Sequence, residues 1–231
     1  MNIIVTGGSN GIGKEIALYL SQDKANNIII TGRSSESLKK TSSLAPNRNI
    51  SFIVSDFRKL HHSPDHLRNN VELVFKKVDV LINNAGILYS KKFAETTEEQ
   101  GREMMEVNFF APVFVIKTLL PLMNKGAHIV NISSMGGYQG SVKFMGLSYY
   151  SASKAAIACI SECLAGEFKE LEVSVNCLAL GSVQTEMLEN AFPGYRAPVS
   201  AAEMGKFIAD FALTGNRFHN GKIIPVALTT P

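Results

Sequence analysis

Tyr150-Ser151-Ala152-Ser153-Lys154 sets a phenol and an ammonium four residues apart at the start of a helical run. On a helix that spacing brings both groups to one face. A tyrosine hydroxyl titrates near pH ~10, so it trades a proton near neutrality only if a neighbouring cation steadies the phenolate. Lys154 is placed to be that cation. The same spacing also occurs by chance on ordinary helices, so its meaning depends on what else the chain brings to the same edge.

The elements that must position this pair alternate along the chain. Residues 2 to 6 form an apolar run, followed by Gly7-Gly8-Ser9-Asn10-Gly11-Ile12-Gly13 and a helical pattern through Ile16, Ala17 and Leu20. This reads as strand, glycine-rich turn and helix, where backbone N–H groups and the positive helix end suit a pyrophosphate. Two familiar loops are excluded. Gly8, Gly13 and Lys14 fit GxxxxGK, but Glu15 stands where a Ser or Thr would bind magnesium, and the Gly7, Gly11, Gly13 spacing is not GxGxxG. A second strand over 27–31 ends in Gly32-Arg33-Ser34, about twenty residues past Gly13, where a dinucleotide fold meets the adenosine ribose. Arg33 offers a fork of donors to a 2′-phosphate, Ser34 can add another, and no acid stands there to accept from a 2′-hydroxyl.

A third strand over 50–54 is closed by Ser55-Asp56-Phe57, which places Asp56 at a carboxyl end either as a ligand contact or as a turn residue. The following His61, His62 and His66 read as a solvated loop and helix start. A fourth strand, 78–82, leads into Asn83-Asn84-Ala85-Gly86. The helical pattern from about 98 to 123 contains Pro112, which predicts a bend just after Asn108 where lost pairing exposes backbone carbonyls. A fifth strand over 127–132 ends in Ser133-Ser134, the helix from Tyr150 runs to about 169, and a sixth strand over 173–178 precedes Gly181-Ser182-Val183-Gln184-Thr185. A helix near 200–213 and a strand over 222–226 complete the chain. The pattern predicts an α/β fold, a Rossmann-like doubly wound parallel sheet of about seven strands with helices on both faces, as a single domain over 1–231. Right-handed crossovers bring the carboxyl ends, and every motif above, to one edge.

Composition bounds the partners. The chain has 231 residues, 45% hydrophobic and 19% charged, with a net charge of +3 and scattered basic residues, so no nucleic-acid face is expected. The start at Met1 leaves no room for a signal peptide, and no apolar run approaches the ~18 residues of a membrane span, so a cytoplasmic protein is expected. Cys159, Cys163 and Cys177 sit in apolar stretches without C-x-x-C pairing and are expected to be reduced core thiols.

Taken together and in order, these residues resemble the short-chain dehydrogenase/reductase family, in its compact single-domain branch, over essentially the whole chain. Thr6-Gly7-Gly8-Ser9-Asn10-Gly11-Ile12-Gly13 is similar to its TGxxxGIG cofactor turn, and Asn83-Asn84-Ala85-Gly86 is identical to its NNAG. Asn108, Ser134, Tyr150 and Lys154 fall where the family carries its catalytic tetrad, and Gly181 to Thr185 resembles the segment that contacts the nicotinamide amide. The resemblance implies an NADP(H)-dependent oxidoreductase, with NAD(H) the weaker cofactor, acting on a small carbonyl or alcohol substrate. It implies that Tyr150 gives its proton to the substrate oxygen, that Lys154 lowers the tyrosine's pKa and holds the nicotinamide ribose, and that Ser134 hydrogen-bonds the substrate oxygen. Asn108 would tether a water that links Lys154 to solvent. Asp56 and Phe57 would lie at the adenine, and Asn84, Ala85 and Gly86 on the adenosine side.

Three departures bear on the substrate. Ser134 and Tyr150 stand sixteen residues apart, a few more than is usual, so the loop from Gly136 to Leu147 is enlarged and Ser133, Ser141 or Ser148 are alternatives to Ser134. Leu180-Gly181 replaces the usual Pro-Gly, and the segment from Glu186 to Val199, where the family's substrate lid lies, is short. The family helices that pair subunits correspond to the Ala-rich run from Tyr150 and the apolar stretch from Phe109 to Met123, which implies a homotetramer or homodimer. The rival from another class is a catalytically silent NADP(H)-binding scaffold; an epimerase or dehydratase is disfavoured, because such relatives carry a substrate domain absent here.

Overall fold

The computed structural model describes residues 1–60 and 64–228. In chain order its elements are β1 (Asn2–Thr6), α1 (Gly11–Leu20), β2 (Asn27–Gly32), α2 (Ser35–Ser43), β3 (Ile50–Val54), α3 (Pro64–Val74) and β4 (Val78–Asn83). They continue with α4 (Glu98–Met105), α5 (Ala111–Leu119), β5 (Met123–Ser134), α6 (Ser148–Glu167), β6 (Ser174–Leu180), β7 (Val183–Gln184), α7 (Glu186–Ala191), β8 (Val199–Ser200), α8 (Ala201–Thr214) and β9 (Ile223–Val226). Seven strands pair in parallel in the order β3-β2-β1-β4-β5-β6-β9. The chain runs outward one way from β1 to β3 and the other way from β4, so a crevice opens above the carboxyl ends of β1 and β4.

The strands read as unbroken apolar runs because both faces are covered. Side chains alternate across a strand. Ile4, Ile29, Leu81, Ile129 and Val175 therefore point to one side, against Leu67, Val71, Val115 and Leu119 of α3 and α5 and Ala165 of α6. Their neighbours Ile3, Val5, Ile28, Ile30, Val80 and Val130 point to the other, against Ile16 and Ala17 of α1, Leu38 of α2 and Ile208 and Ala209 of α8.

The helical stretch after residue 98 departs from a simple bend. Between α4 and α5 the backbone makes a π-turn over Glu106–Phe110, in which the Ala111 N–H reaches the Glu106 carbonyl. Pro112 explains it: with no N–H to offer the Asn108 carbonyl four residues back, the ladder slips by one residue. Glu98–Leu122 proves long and apolar enough to cross a membrane by length and composition, contrary to the sequence expectation. In the fold its residues Val107, Ala111, Val115, Ile116 and Leu119 are core.

Other expectations also need correcting. Cys177 is buried, but Cys159 and Cys163 are exposed on α6; the helix is apolar on its outer face as well as its inner one, so hydropathy alone does not separate them. The small parallel pair β7 and β8, joined at Val183 with Val199 and Gln184 with Ser200, was not foreseen from sequence. It closes the segment carrying α7 into a compact flap root. His61 and His62 lie outside the described residues, and His66 sits on α3 with Nε2 3.2 Å from the Val54 carbonyl oxygen.

Candidate active site

The glycine turn is built by close approach. Gly7 has φ +71°, and a Cβ there would lie 2.9 Å from the Ala85 Cα; a Cβ on Gly13 would lie 2.2 Å from the Gly7 oxygen. Only glycine lets the turn fold back on itself. Asn84 braces it, donating from Nδ2 to the Thr6 oxygen at 3.0 Å, while the Asn84 and Ala85 N–H groups donate to Thr6 Oγ1 at 3.0 and 3.1 Å. Asn10 caps α1 with extended backbone and without a side-chain hydrogen bond. By contrast, Ser34, Thr97, Thr185 and Ser200 each cap their helices through the side chain. The first turn of α1 thus keeps N–H groups for an anion.

Above the carboxyl edge lies a cleft of about 940 Å³ that gathers Gly7, Ser9, Asn10, Gly11, Ile12, Arg33, Asp56, Phe57, Asn84, Ala85 and Gly86 with Ser134, Tyr150, Lys154, Gly181, Val183 and Thr185. Segments separated by most of the chain therefore meet in one cavity. Gly13 and Ser34 are not part of its lining. Gly13 is buried beneath the turn, and the Ser34 hydroxyl accepts the Ser37 N–H at 3.2 Å as the cap of α2.

At one end, the phenol and ammonium sit on the first turns of α6, against the end of β5. Tyr150 and Ser134 line the same part of the cleft, close enough for the Ser134 hydroxyl to act on the phenol's pKa, and the Ser134 Oγ is oriented by accepting the Gly136 N–H at 3.1 Å. Two of the alternatives are occupied: Ser133 Oγ donates to the Lys154 carbonyl at 2.6 Å, and Ser141 Oγ donates to the Met135 and Tyr138 carbonyls; the third, Ser148, is exposed at the start of α6 and is not in the cleft lining. Lys154 is 4% exposed, and its Nζ donates to the Ile132 carbonyl at 2.9 Å. Gly86 faces this end: a Cβ there would stand 3.2 Å from Asn108 Oδ1 and 3.3 Å from Lys154 Nζ. Asn108 clamps the strand exit, accepting the Ile87 N–H at 2.8 Å and donating to the Ile87 carbonyl at 3.0 Å, with a further bond to Ser153 Oγ at 3.0 Å.

Burial sets the electrostatics at this end. Burial is the largest influence on the Tyr150 phenol and pushes it above its usual value, with the Ser134 hydroxyl pulling the other way. The ammonium is 5.9 Å from the ring centroid and committed to a carbonyl. Burial brings Lys154 itself down to about 8. Cys177 beside it is pushed up to about 12 by burial, so it stays a neutral thiol.

The other end is ionic. Arg58 grips Asp56 in a two-pronged bond, Nε to Oδ1 at 2.9 Å and Nη2 to Oδ2 at 2.6 Å, which, with the Arg33 charge nearby, holds the Asp56 carboxyl below its usual range. Behind it Tyr89 donates to Glu103 at 2.6 Å, and that bond raises the phenol's pKa. Arg58 also lines the cleft and was missed in the sequence. Its signal was available: a guanidinium two residues past an aspartate that ends a strand.

Residues 1–196 match the family model described as short chain dehydrogenase. The chain belongs to the short-chain dehydrogenase family. Members of the family are oxidoreductases that act on CH–OH and C=O groups with a nicotinamide dinucleotide. The chain is 32% identical over 205 residues to the dehydrogenase/reductase SDR family member 7B of Xenopus tropicalis, covering 83% of this chain and 64% of that protein. An uncharacterized oxidoreductase of Staphylococcus epidermidis is 30% identical over 213 residues, covering 91% of this chain and 90% of that one. The chain thus spans less than two thirds of the first relative and nearly all of the second. Among solved structures, a dehydrogenase/reductase from Sinorhizobium meliloti 1021 shares 27% identity with a TM-score of 0.86, covering 98% of this chain and 93% of that one. A short-chain dehydrogenase/reductase from Brucella melitensis has the same fold at 23% identity and a TM-score of 0.86, covering 98% and 94%.

Proposed function

We propose that residues 1–231 act as one unit that reduces a carbonyl compound, or oxidises the matching alcohol, with NADP(H). The observation that carries this reading is a single cleft that brings Ser134, Tyr150 and the buried Lys154 together with the glycine turn. The uncapped start of α1 and the φ +71° and +53° of Gly7 and Gly11 fit a pyrophosphate laid on the main chain. When bound, the nicotinamide supplies or accepts the hydride. Gly181, Val183 and Thr185 would hold its amide, and Lys154 its ribose.

The chain's own groups manage the proton and the oxygen. Tyr150, whose raised pKa keeps it protonated at neutral pH, donates its proton to the substrate oxygen while Ser134 donates a hydrogen bond to that oxygen as charge gathers there. Lys154 steadies the phenolate left behind. Reprotonation runs through a water on the Asn108 carbonyl, which Pro112 leaves without its ordinary i+4 donor. Arg33 would pair with the 2′-phosphate and favour NADP(H) over NAD(H), with Asp56 and Phe57 beside the adenine.

Two further readings go with this one. The outer face of α6, with Ala152, Ala155, Cys159 and Cys163 exposed, and Phe110, 52% exposed, suit packing against a second copy, so we expect a homodimer or homotetramer. The three thiols are free, which suits the cytoplasm. Incubation with NADPH and a panel of ketones, aldehydes and acyl thioesters tests the activity. A protein that binds NADPH and oxidises it with none of them is the silent scaffold instead.

A further inference from the structure

We propose that the carbonyl compound taken by this site is uncharged and carries an elongated apolar tail, seated between the loop around residue 144 and the segment bearing α7. This rests on the reading of the cleft as a hydride-transfer site. Beyond Ser134 and Tyr150 the cleft is walled by Phe144, Leu147, Met187, Phe192, Tyr195 and Leu228. At the mouth, Phe144 is 47% exposed, Met187 41% and Leu228 74%. Large apolar side chains from three separate segments thus converge on one opening that leads directly to the proton donor. Left to water they are unfavourable; a ligand's hydrocarbon would cover them.

The charge distribution argues for a neutral compound. Arg33, Asp56 and Arg58 lie at the opposite end of the cleft, and past Lys154 the one charged side chain in its described lining is Glu186. A phosphate or carboxylate on the substrate's tail, past Lys154, would meet that carboxylate and no further cation in the lining. Lys143, in the same loop as Phe144, is turned to its own loop, donating from Nζ to the Tyr138 carbonyl at 2.5 Å and to Ser141 Oγ at 3.0 Å.

The walls are also built, not loose. Ser141 Oγ is bonded to the Met135 and Tyr138 carbonyls, and the Lys91 N–H donates to the Gly146 carbonyl at 3.0 Å. Across the cleft, the Tyr195 and Ser182 hydroxyls share a hydrogen bond at 3.1 Å. The enlargement of the loop between Ser134 and Tyr150 therefore supplies a fixed apolar wall.

The test is a series of straight-chain aldehydes from butanal to decanal with NADPH, alongside calorimetric titration of the NADP+-loaded protein with 1-butanol and 1-decanol. Full burial of a methylene corresponds to about fourfold in affinity, so kcat/KM should climb roughly two- to fourfold per carbon, and decanol should bind more tightly than butanol. Decanoyl-coenzyme A and a phosphorylated aldehyde should do no better than butanal. The double variant Phe144→Ser, Met187→Ser should cut the decanal-to-butanal ratio about tenfold or more. A flat series, or preference for a charged substrate, overturns the apolar tail and leaves hydride transfer standing. Chain-length-dependent binding without reduction of any carbonyl overturns hydride transfer and leaves the apolar site, and failure of both overturns both.

Discussion

The two ends of the cleft use polar groups in opposite ways. At the adenosine end, Arg58 and Asp56 form a close ion pair whose side chains remain 42% and 29% exposed. An exposed pair of this kind adds little to stability; its value is in presenting oriented charge to a ligand. At the carbonyl end Lys154 is buried and Ser134 and Tyr150 are partly so, and desolvation dominates: Lys154 is brought down to about 8 and Tyr150 is pushed up. In the proposed function the first arrangement recognises and the second prepares a proton. The difference follows from position, since Arg33 and Arg58 stand on loops past the sheet edge, whereas Lys154 lies between α6 and β5.

If this division holds, the two ends should fail separately. Removing the Tyr150 hydroxyl should have the largest effect. Tyr150→Phe should lose about 10² to 10⁴ in turnover, the range for lost acid catalysis, while binding NADPH nearly normally by fluorescence titration. Retention of more than about a tenth of wild-type turnover would show that another group carries the proton.

Arg33→Ala should do the reverse, weakening NADPH binding and sparing NADH. Charge-assisted bonds of about 1.5–3 kcal/mol correspond to roughly 10- to 150-fold. The lower end is expected, because Asn10 in the turn offers no second cation. Equal losses for both cofactors would mean that Arg33 packs on the adenine.

The pH profile sharpens the comparison further. The folded pKa of Lys154 is depressed to about 8, so the ammonium that steadies the phenolate is lost as pH rises through that value. Carbonyl reduction should therefore fall about tenfold per unit above pH ~8, without a matching loss of bound NADPH. The phenol, raised above its ordinary value of ~10, titrates too high to be the source of that limb. A rate constant flat to pH 10 would contradict the assigned pair.

The smallest effect should come from Arg58→Ala. With its clamp gone, Asp56 should rise toward an ordinary carboxylate pKa, and both cofactors should weaken by about threefold. A loss confined to NADPH would instead make Arg58 a direct partner of the 2′-phosphate. The Asp56 titration, followed by NMR, separates the two outcomes.

Much of this was legible in the sequence because it is local. Apolar runs of strand length, the Gly7-to-Gly13 turn and the placement of each motif just after a strand depend on residues a few positions apart. Parallel pairing with right-handed crossovers then requires those strand ends to share an edge. Tyr150 and Lys154 needed only the helical repeat to share a face. For the same reason Pro112 announced trouble in the ladder at Asn108, though not its resolution as a π-turn.

Tertiary structure decided what depends on register between distant segments. Ser134, and not Ser133 or Ser141, meets Tyr150 because strand alternation turns Ser133 toward the Lys154 carbonyl. Gly86 faces Lys154, and Asn108 holds Ile87, a residue 21 positions away. The same holds for His128, an unremarked strand residue that the fold buries against Ala212 and Asn176 and brings down to about 4. Exposure of Cys159 and Cys163 likewise turns on which face of α6 meets the sheet. Residue types and spacing marked the groups that could do chemistry; desolvation and strand register, which exist only once the core has closed, determined how deeply each is buried and what it is bonded to.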